Sequence, residues 1–237
     1  MFIILKKKHI ILFSVILIFI ILAIIFISTI VSLKAVNVKP QTEYVIIVDA
    51  GHGGIDGGSV GKCTGVTESE LNLRYAKNLS NQLKQMGISC LLTRENDAGL
   101  YDKDATNLKR SDMKRRREII QKYKPQLVVS IHMNSFPLSS SRGAQAFYKK
   151  GSEQGKIFAD CIQKQLSTTI EKTGVNGKVG DYYIVNCTDI PAVLIECGFL
   201  SNLEEEQLLV TKEYENKVCY LILCGIVSYL NSQNGLI

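Results

Sequence analysis

The chain has 237 residues and a formal net charge of +6. That length holds one sizeable hydrophobic core, and no low-complexity tract or internal repeat points to a fibrous or solenoid architecture. Lys6, Lys7, Lys8 and Lys34 supply most of the charge: without them 24 basic residues face 22 acidic ones, a balance of +2. Such a balance excludes nucleic acid as the expected partner.

In chain order, the first element is an apolar run from Ile10 to Leu33, broken only by Ser14, Ser28, Thr29 and Ser32. As a helix it would be roughly 36 Å long at about 1.5 Å per residue, enough to cross a hydrocarbon layer about 30 Å thick with some tilt. The lysines before it favour a cytoplasmic N-terminus. The run exceeds the about 7–15 apolar residues of a cleaved signal, and Leu33-Lys34-Ala35 is a poor cleavage site. Residues 1–34 therefore read as a membrane anchor in preference to a cleaved signal, which would leave a secreted protein. Residues 35–43 read as a linker, 44–232 as the catalytic domain and 233–237 as a tail.

Beyond the linker, β-branched apolar runs alternate with helical patterns. Strands are expected at 44–48, 88–92, 127–131, 144–148 and 192–195. Helices are expected at 70–86, 112–122, 153–172 and 213–230, with 96–107 a polar loop. The alternation predicts an α/β fold: a three-layer sandwich with a mostly parallel central sheet flanked by helices, preceded by a transmembrane helix. In such folds ligands gather beyond the carboxyl ends of the strands, where Asp49–Gly58, Ser130–Ser135 and Glu196–Asn202 fall. A basic cluster, Lys109, Arg110, Lys114, Arg115, Arg116 and Arg117, reads first as a solvated helix face and second as a surface for an anionic polymer. Seven cysteines without a C-x-x-C pair form neither a zinc ribbon nor a disulfide scaffold. Most read as small core residues, and their number sits in mild tension with an extracytoplasmic location.

The domain has two histidines, His52 and His132, and each follows a buried strand. Two histidines and a glutamate are one standard ligand set for catalytic zinc, which keeps a further position for water. Glu68 and Glu70 both stand at the start of a helix, and position alone does not choose between them. The glycines of Asp49-Ala-Gly-His52-Gly-Gly let backbone approach a metal or substrate. Asp49 is placed to orient His52 from behind. No lysine stands where a phosphate-binding loop needs one. Glu196 ends an apolar strand, a costly place for an acid without a task. It reads as a general base and acid, against a salt-bridged structural role.

Asp49-Ala-Gly-His52-Gly-Gly, Glu68 ahead of Leu71-Asn-Leu73, Ser130-Ile-His132-Met-Asn134-Ser and Pro191-Ala-Val-Leu-Ile-Glu196-Cys-Gly-Phe-Leu-Ser-Asn202 resemble the zinc-dependent N-acetylmuramoyl-L-alanine amidases of bacterial cell walls. Thr93-Arg94, Arg116 and Arg142-Gly-Ala-Gln-Ala-Phe-Tyr148 also fit. The resemblance implies that His52, Glu68 and His132 hold Zn2+, which selects Glu68 over Glu70, and that Glu196 is catalytic. Asn134 and Arg116 would contact substrate or support the ligand loops. The implied reaction cleaves the amide between N-acetylmuramic acid and the L-alanine of the peptidoglycan stem. The spacing from His132 to Glu196 leaves no room for the blocking helix of some division-associated relatives, so an open site under the control of an accessory protein is expected. A bare catalytic domain behind one hydrophobic segment looks like the sporulation branch, which prepares muramic-δ-lactam in the spore cortex for germination. A zinc peptidase of stem peptides and a non-catalytic wall-binding scaffold are the competing readings.

Overall fold

The computed structural model describes residues 16–23, 46–171 and 173–233. Residues 16–23 are helical, with exposed apolar side chains. The rest of the expected anchor, the linker 35–43 and residues 234–237 lie outside the described residues. No helix among the described residues is long and apolar enough to cross a membrane.

The domain that follows contains β1 (Ile46–Ala50), α1 (Glu68–Gln85), β2 (Cys90–Leu92), α2 (Leu108–Tyr123), β3 (Leu127–Asn134), β4 (Gln145–Tyr148), α3 (Glu153–Ser167), β5 (Lys178–Val179), α4 (Tyr183–Asn186), β6 (Ala192–Phe199), α5 (Leu203–Leu209) and α6 (Lys212–Gln233). The six strands form one sheet in the order β2-β1-β3-β6-β4-β5. Strands β2, β1, β3 and β6 run parallel, and β4 meets β6 antiparallel. The expected mostly parallel sheet flanked by helices is thus present, with an antiparallel departure at the β4 side.

Strand side chains alternate between faces, and both faces are covered, which is why β1 and β3 read as unbroken apolar runs. Ile46, Val48, Val129, Ile131, Val193 and Ile195 pack with α1, α3 and α6, through Leu79, Phe158 and Ile222 among others. Ile47, Val128 and Leu194 pack on the opposite side with Ile120 of α2 and with Ile184 and Val185 of α4. Gly225 lets α6 lie close to α3: a Cβ there would stand 2.5 Å from Ile162 Cα.

Several boundaries differ from the sequence expectation. β3 and β6 continue past Ile131 and Ile195, so His132 and Glu196 lie within strands and not just after them. The polar residue interrupts the apolar run in each sequence segment, whereas backbone pairing carries on through it. Glu68 is the first residue of α1. α2 begins at Leu108, capped by Asn107, whose side chain accepts the Arg110 N–H at 2.9 Å. α3 stops at Ser167, and α6 runs to Gln233, taking in the first residue of the expected tail. β5, α4 and α5 are too short to leave a periodic signal.

Candidate metal centre

The site begins with the pleat. Asp49, Ser130, His132, Asn134, Leu194 and Glu196 alternate with the residues that face α1 and α6, and so share the α2 side of the sheet. Register then brings them together: Asp49 stands beside Ser130, Ser130 beside Leu194, and His132 beside Glu196. Beyond Ala50 the chain turns sharply. His52 takes φ +59°, a left-handed conformation uncommon outside glycine. Its carbonyl accepts from Arg116 Nη2 at 2.6 Å, which helps hold the turn. Gly51 is required here because a Cβ would lie 2.2 Å from the His132 ring. Gly58 has the same role opposite Glu68, whose Oε2 would be 2.5 Å from its Cβ.

Glu68 is delivered by the N-terminus of α1. Thr67 caps the helix by accepting from the Glu70 N–H at 3.3 Å. Glu70 therefore occupies the third helical position of a capping-box pattern and is exposed, whereas Glu68 is buried. Glu68 Oε1 lies 3.0 Å from His52 Nε2 and 2.9 Å from His132 Nδ1. Its Oε2 accepts from the Ser59 N–H at 3.0 Å. Burial works against the Glu68 charge, but hydrogen bonds to the two histidines outweigh it and hold the carboxyl well below its usual range. The His52 and His132 rings meet edge-on with centroids 5.1 Å apart. One ligand atom from each of His52, Glu68 and His132 falls within 4.8 Å of the others. These residues converge three donors of the types that catalytic zinc takes.

Glu196 is the second indication that the cavity fits a cation. It is 7 % exposed, and its Oε2 has no hydrogen-bond partner. Burial pushes its carboxyl up to about 7, the His132 charge works against this and the Glu68 charge adds to it. An uncompensated buried acid facing a two-histidine, one-carboxylate cluster is an unfavourable arrangement unless positive charge or a proton is supplied. The surrounding cavity, about 350 Å³, is lined by Tyr182, Met133, Asn134 and Ile55 in addition to the cluster.

Asp49 does not orient His52. Its carboxylate accepts from Thr93 Oγ1 at 2.7 Å, Ser130 Oγ at 2.5 Å and Arg116 Nη1 at 2.5 Å. Burial opposes this charge, and Arg116 with the two hydroxyls overcomes it, leaving the carboxyl below its usual value. The acid on the free nitrogen of His52 is Asp56, Oδ2 to Nδ1 3.0 Å. It lies four residues along the same glycine loop, and that spacing was the signal available to find it. Arg116 is 1 % exposed and also bonds Asp112 and the carbonyl of Ala50. It belongs to the support beneath the loop, and the basic cluster therefore has one member fewer on the surface. The Asn134 side chain faces the cavity, while its carbonyl accepts from Leu200 at 2.8 Å. Tyr182, which no sequence pattern singled out, reaches the cavity from the loop before α4. Burial, then Glu196 and Glu68, push its hydroxyl up to about 12, so it remains a neutral donor at physiological pH.

Residues 46–228 match the Amidase_3 family model, described as N-acetylmuramoyl-L-alanine amidase. The chain belongs to that family. The amidase is 33 % identical to the germination-specific N-acetylmuramoyl-L-alanine amidase of Bacillus subtilis over 198 residues, 82 % of this chain and 83 % of that one. Among solved structures it resembles the CwlD amidase from Clostridioides difficile in complex with the GerS lipoprotein. The TM-score is 0.76 at 38 % identity, over 80 % of this chain and 99 % of that one. The catalytic domain of CwlV, from Bacillus (Paenibacillus) polymyxa, superposes with a TM-score of 0.69 at 33 % identity, over 79 % and 98 %.

Proposed function

We propose that this amidase hydrolyses the muramoyl–L-alanine amide of spore-cortex peptidoglycan through a zinc ion held by His52, Glu68 and His132, with Glu196 moving the proton. The observation that carries the reading is the buried, unpartnered Glu196 Oε2 beside three converging ligand atoms. Zinc bound there supplies Lewis-acid polarisation of a carbonyl and lowers the pKa of water from about 15.7 to about 7. The chain's own residues do the rest. Asp56 fixes the His52 ring so that Nε2 faces Glu68. Ser59 N–H holds the second Glu68 oxygen away from the cluster. Glu196 takes a proton from the attacking water at its free oxygen and returns it to the leaving alanine amine. Tyr182 stands across the cavity as an uncharged donor.

The germination role is supported by the B. subtilis relative. The apolar run 10–33 supports anchoring with the domain outside the cytoplasmic membrane, at the forespore membrane or cortex. The C. difficile relative, whose structure is that of a complex with a lipoprotein, supports an accessory protein as the regulator of this open site.

Muropeptide mass spectrometry after digestion of purified peptidoglycan tests the reaction. Intact glycan and free stems beginning at L-alanine are expected; shortened stems would instead indicate a peptidase. Glu196→Ala is expected to keep its metal and lose cleavage. His132→Ala is expected to lose zinc on metal analysis, and unchanged zinc content would sink the ligand assignment.

A further inference from the structure

A second groove, of about 710 Å³, opens beside the metal cleft. Arg110, Lys114 and Arg117 on α2 recur at intervals of four and three and therefore share one helix face. Asn107, Met113 and the Tyr183 ring complete the walls. Lys109, Met113 and Tyr183 line both this groove and the metal cavity, so the two are continuous. Lys109 Nζ lies 3.4 Å from Asp56, and Lys114 Nζ lies 3.7 Å from Glu118. Among the described residues, no carboxylate forms an ion pair with Arg110 or Arg117. Like charges three and four apart on one helix face destabilise it, a cost that a bound anion removes.

We propose that this groove receives the stem peptide and that Arg110 and Arg117 bind a free stem carboxylate beyond L-alanine. The proposal rests on the amidase reading. Charge complementarity selects the peptide over the glycan: the sugars are neutral, and the muramoyl carboxyl is consumed in the scissile amide, whereas the stem carries its carboxylates downstream of that bond. Continuity with the metal cleft gives the peptide its path. Guanidinium groups suit the task because their planar donors bind carboxylates in pairs. Tyr183 offers an apolar wall along which the peptide backbone lies.

The test is the double variant Arg110→Gln/Arg117→Gln, in which both residues are exposed and an unchanged thermal melt is the control for folding. The substrates are a soluble, teichoic-acid-free wall fragment with free stem carboxylates and its carboxyamide counterpart. On the free-carboxylate fragment KM should rise about fivefold with kcat unchanged. On the carboxyamide the variant and the wild type should coincide, and added salt should reproduce the loss in the wild type. Equal KM on both fragments for both proteins overturns the proposal, as does a loss of the same size on each. Impairment confined to walls that retain teichoic acid assigns the groove to that polymer and overturns the stem assignment. If the wild type cleaves neither fragment, it is the amidase reading that fails. Fluorescence anisotropy of a labelled acidic stem peptide then decides the groove: about fivefold weaker binding by the variant supports it, and equal binding refutes it.

Discussion

Glu68 and Glu196 are buried acids in one cavity, and their neighbours drive their affinities for protons apart. Glu68 has two imidazoles on one oxygen and a backbone N–H on the other. Glu196 has an oxygen with no partner, and burial raises its carboxyl from 4.5 to about 7. A raised folded pKa means that the ionised form costs stability at neutral pH, a cost absent once the pH falls below 4.5. In metal-free protein Glu196→Gln is therefore expected to raise stability by about 1–3 kcal/mol at pH 8, measured by denaturant unfolding, while activity is lost. A base must be ionised, so kcat/KM should fall as pH drops through the Glu196 value. Bound dication favours the carboxylate and moves that limb below 7. A pH–rate profile that stays flat from about pH 8 down to about pH 4 would remove Glu196 from the base role. Asp49 illustrates the opposite use of a buried acid. Asp49→Ala leaves the Arg116 guanidinium short of an anion and should cost about 3–5 kcal/mol in the same unfolding experiment.

At the scale of elements, glycines and caps place the ligands. Gly51→Ala drives a methyl group into the His132 ring. The protein is expected to fold but to bind zinc at least tenfold more weakly, read by competition with a chelating dye. Gly225→Ala separates α6 from α3 and should cost about 1–3 kcal/mol by overpacking, with little effect on metal affinity because that contact lies on the far side of the sheet. The segment Glu196–Asn202 combines both kinds of role. Glu196 faces the cavity, whereas Asn202 caps α5, its side chain accepting from the Glu204 and Glu205 N–H groups at 3.1 Å each. Asn202→Ala should lower stability by about 1 kcal/mol and leave the chemistry intact.

At the scale of the whole molecule, metal binding and folding are linked, because the ligands come from β1's following loop, α1 and β3 and converge only in the folded state. At a free zinc concentration about 100 times Kd the ion contributes about 2.7 kcal/mol. For a domain of this size that corresponds to roughly 5–10 °C in Tm. Chelation is expected to lower Tm by that amount and to abolish hydrolysis, with both restored by added zinc. An unchanged Tm on chelation would mean that the cluster holds no metal with useful affinity.

Composition and pattern alone determined the alternation of strands and helices and the three-layer arrangement, because burial on both sheet faces writes itself as continuous apolar runs, and they singled out His52 and His132 because the domain beyond the linker holds no other histidine. Position at a helix start and at a strand end raised Glu68 and Glu196, and the family resemblance chose Glu68 over Glu70. What the sequence left undecided depends on contacts between residues far apart in the chain. In sequence Asp49 reads as the support for His52, and only the turn after β1 points it toward Arg116, 67 residues away, and brings Asp56 to the imidazole instead. Tyr182 carries no local pattern, and it joins the cavity because the fold brings the residue before α4 into one lining with Glu196. The basic run 109–117 reads as one solvated stripe in sequence. Helical rotation buries Arg116 beneath the metal loop and turns Arg110, Lys114 and Arg117 outward along a groove. Local physics sets which segments form, while the side of the sheet that each residue faces and the company it keeps there are properties of the assembled fold.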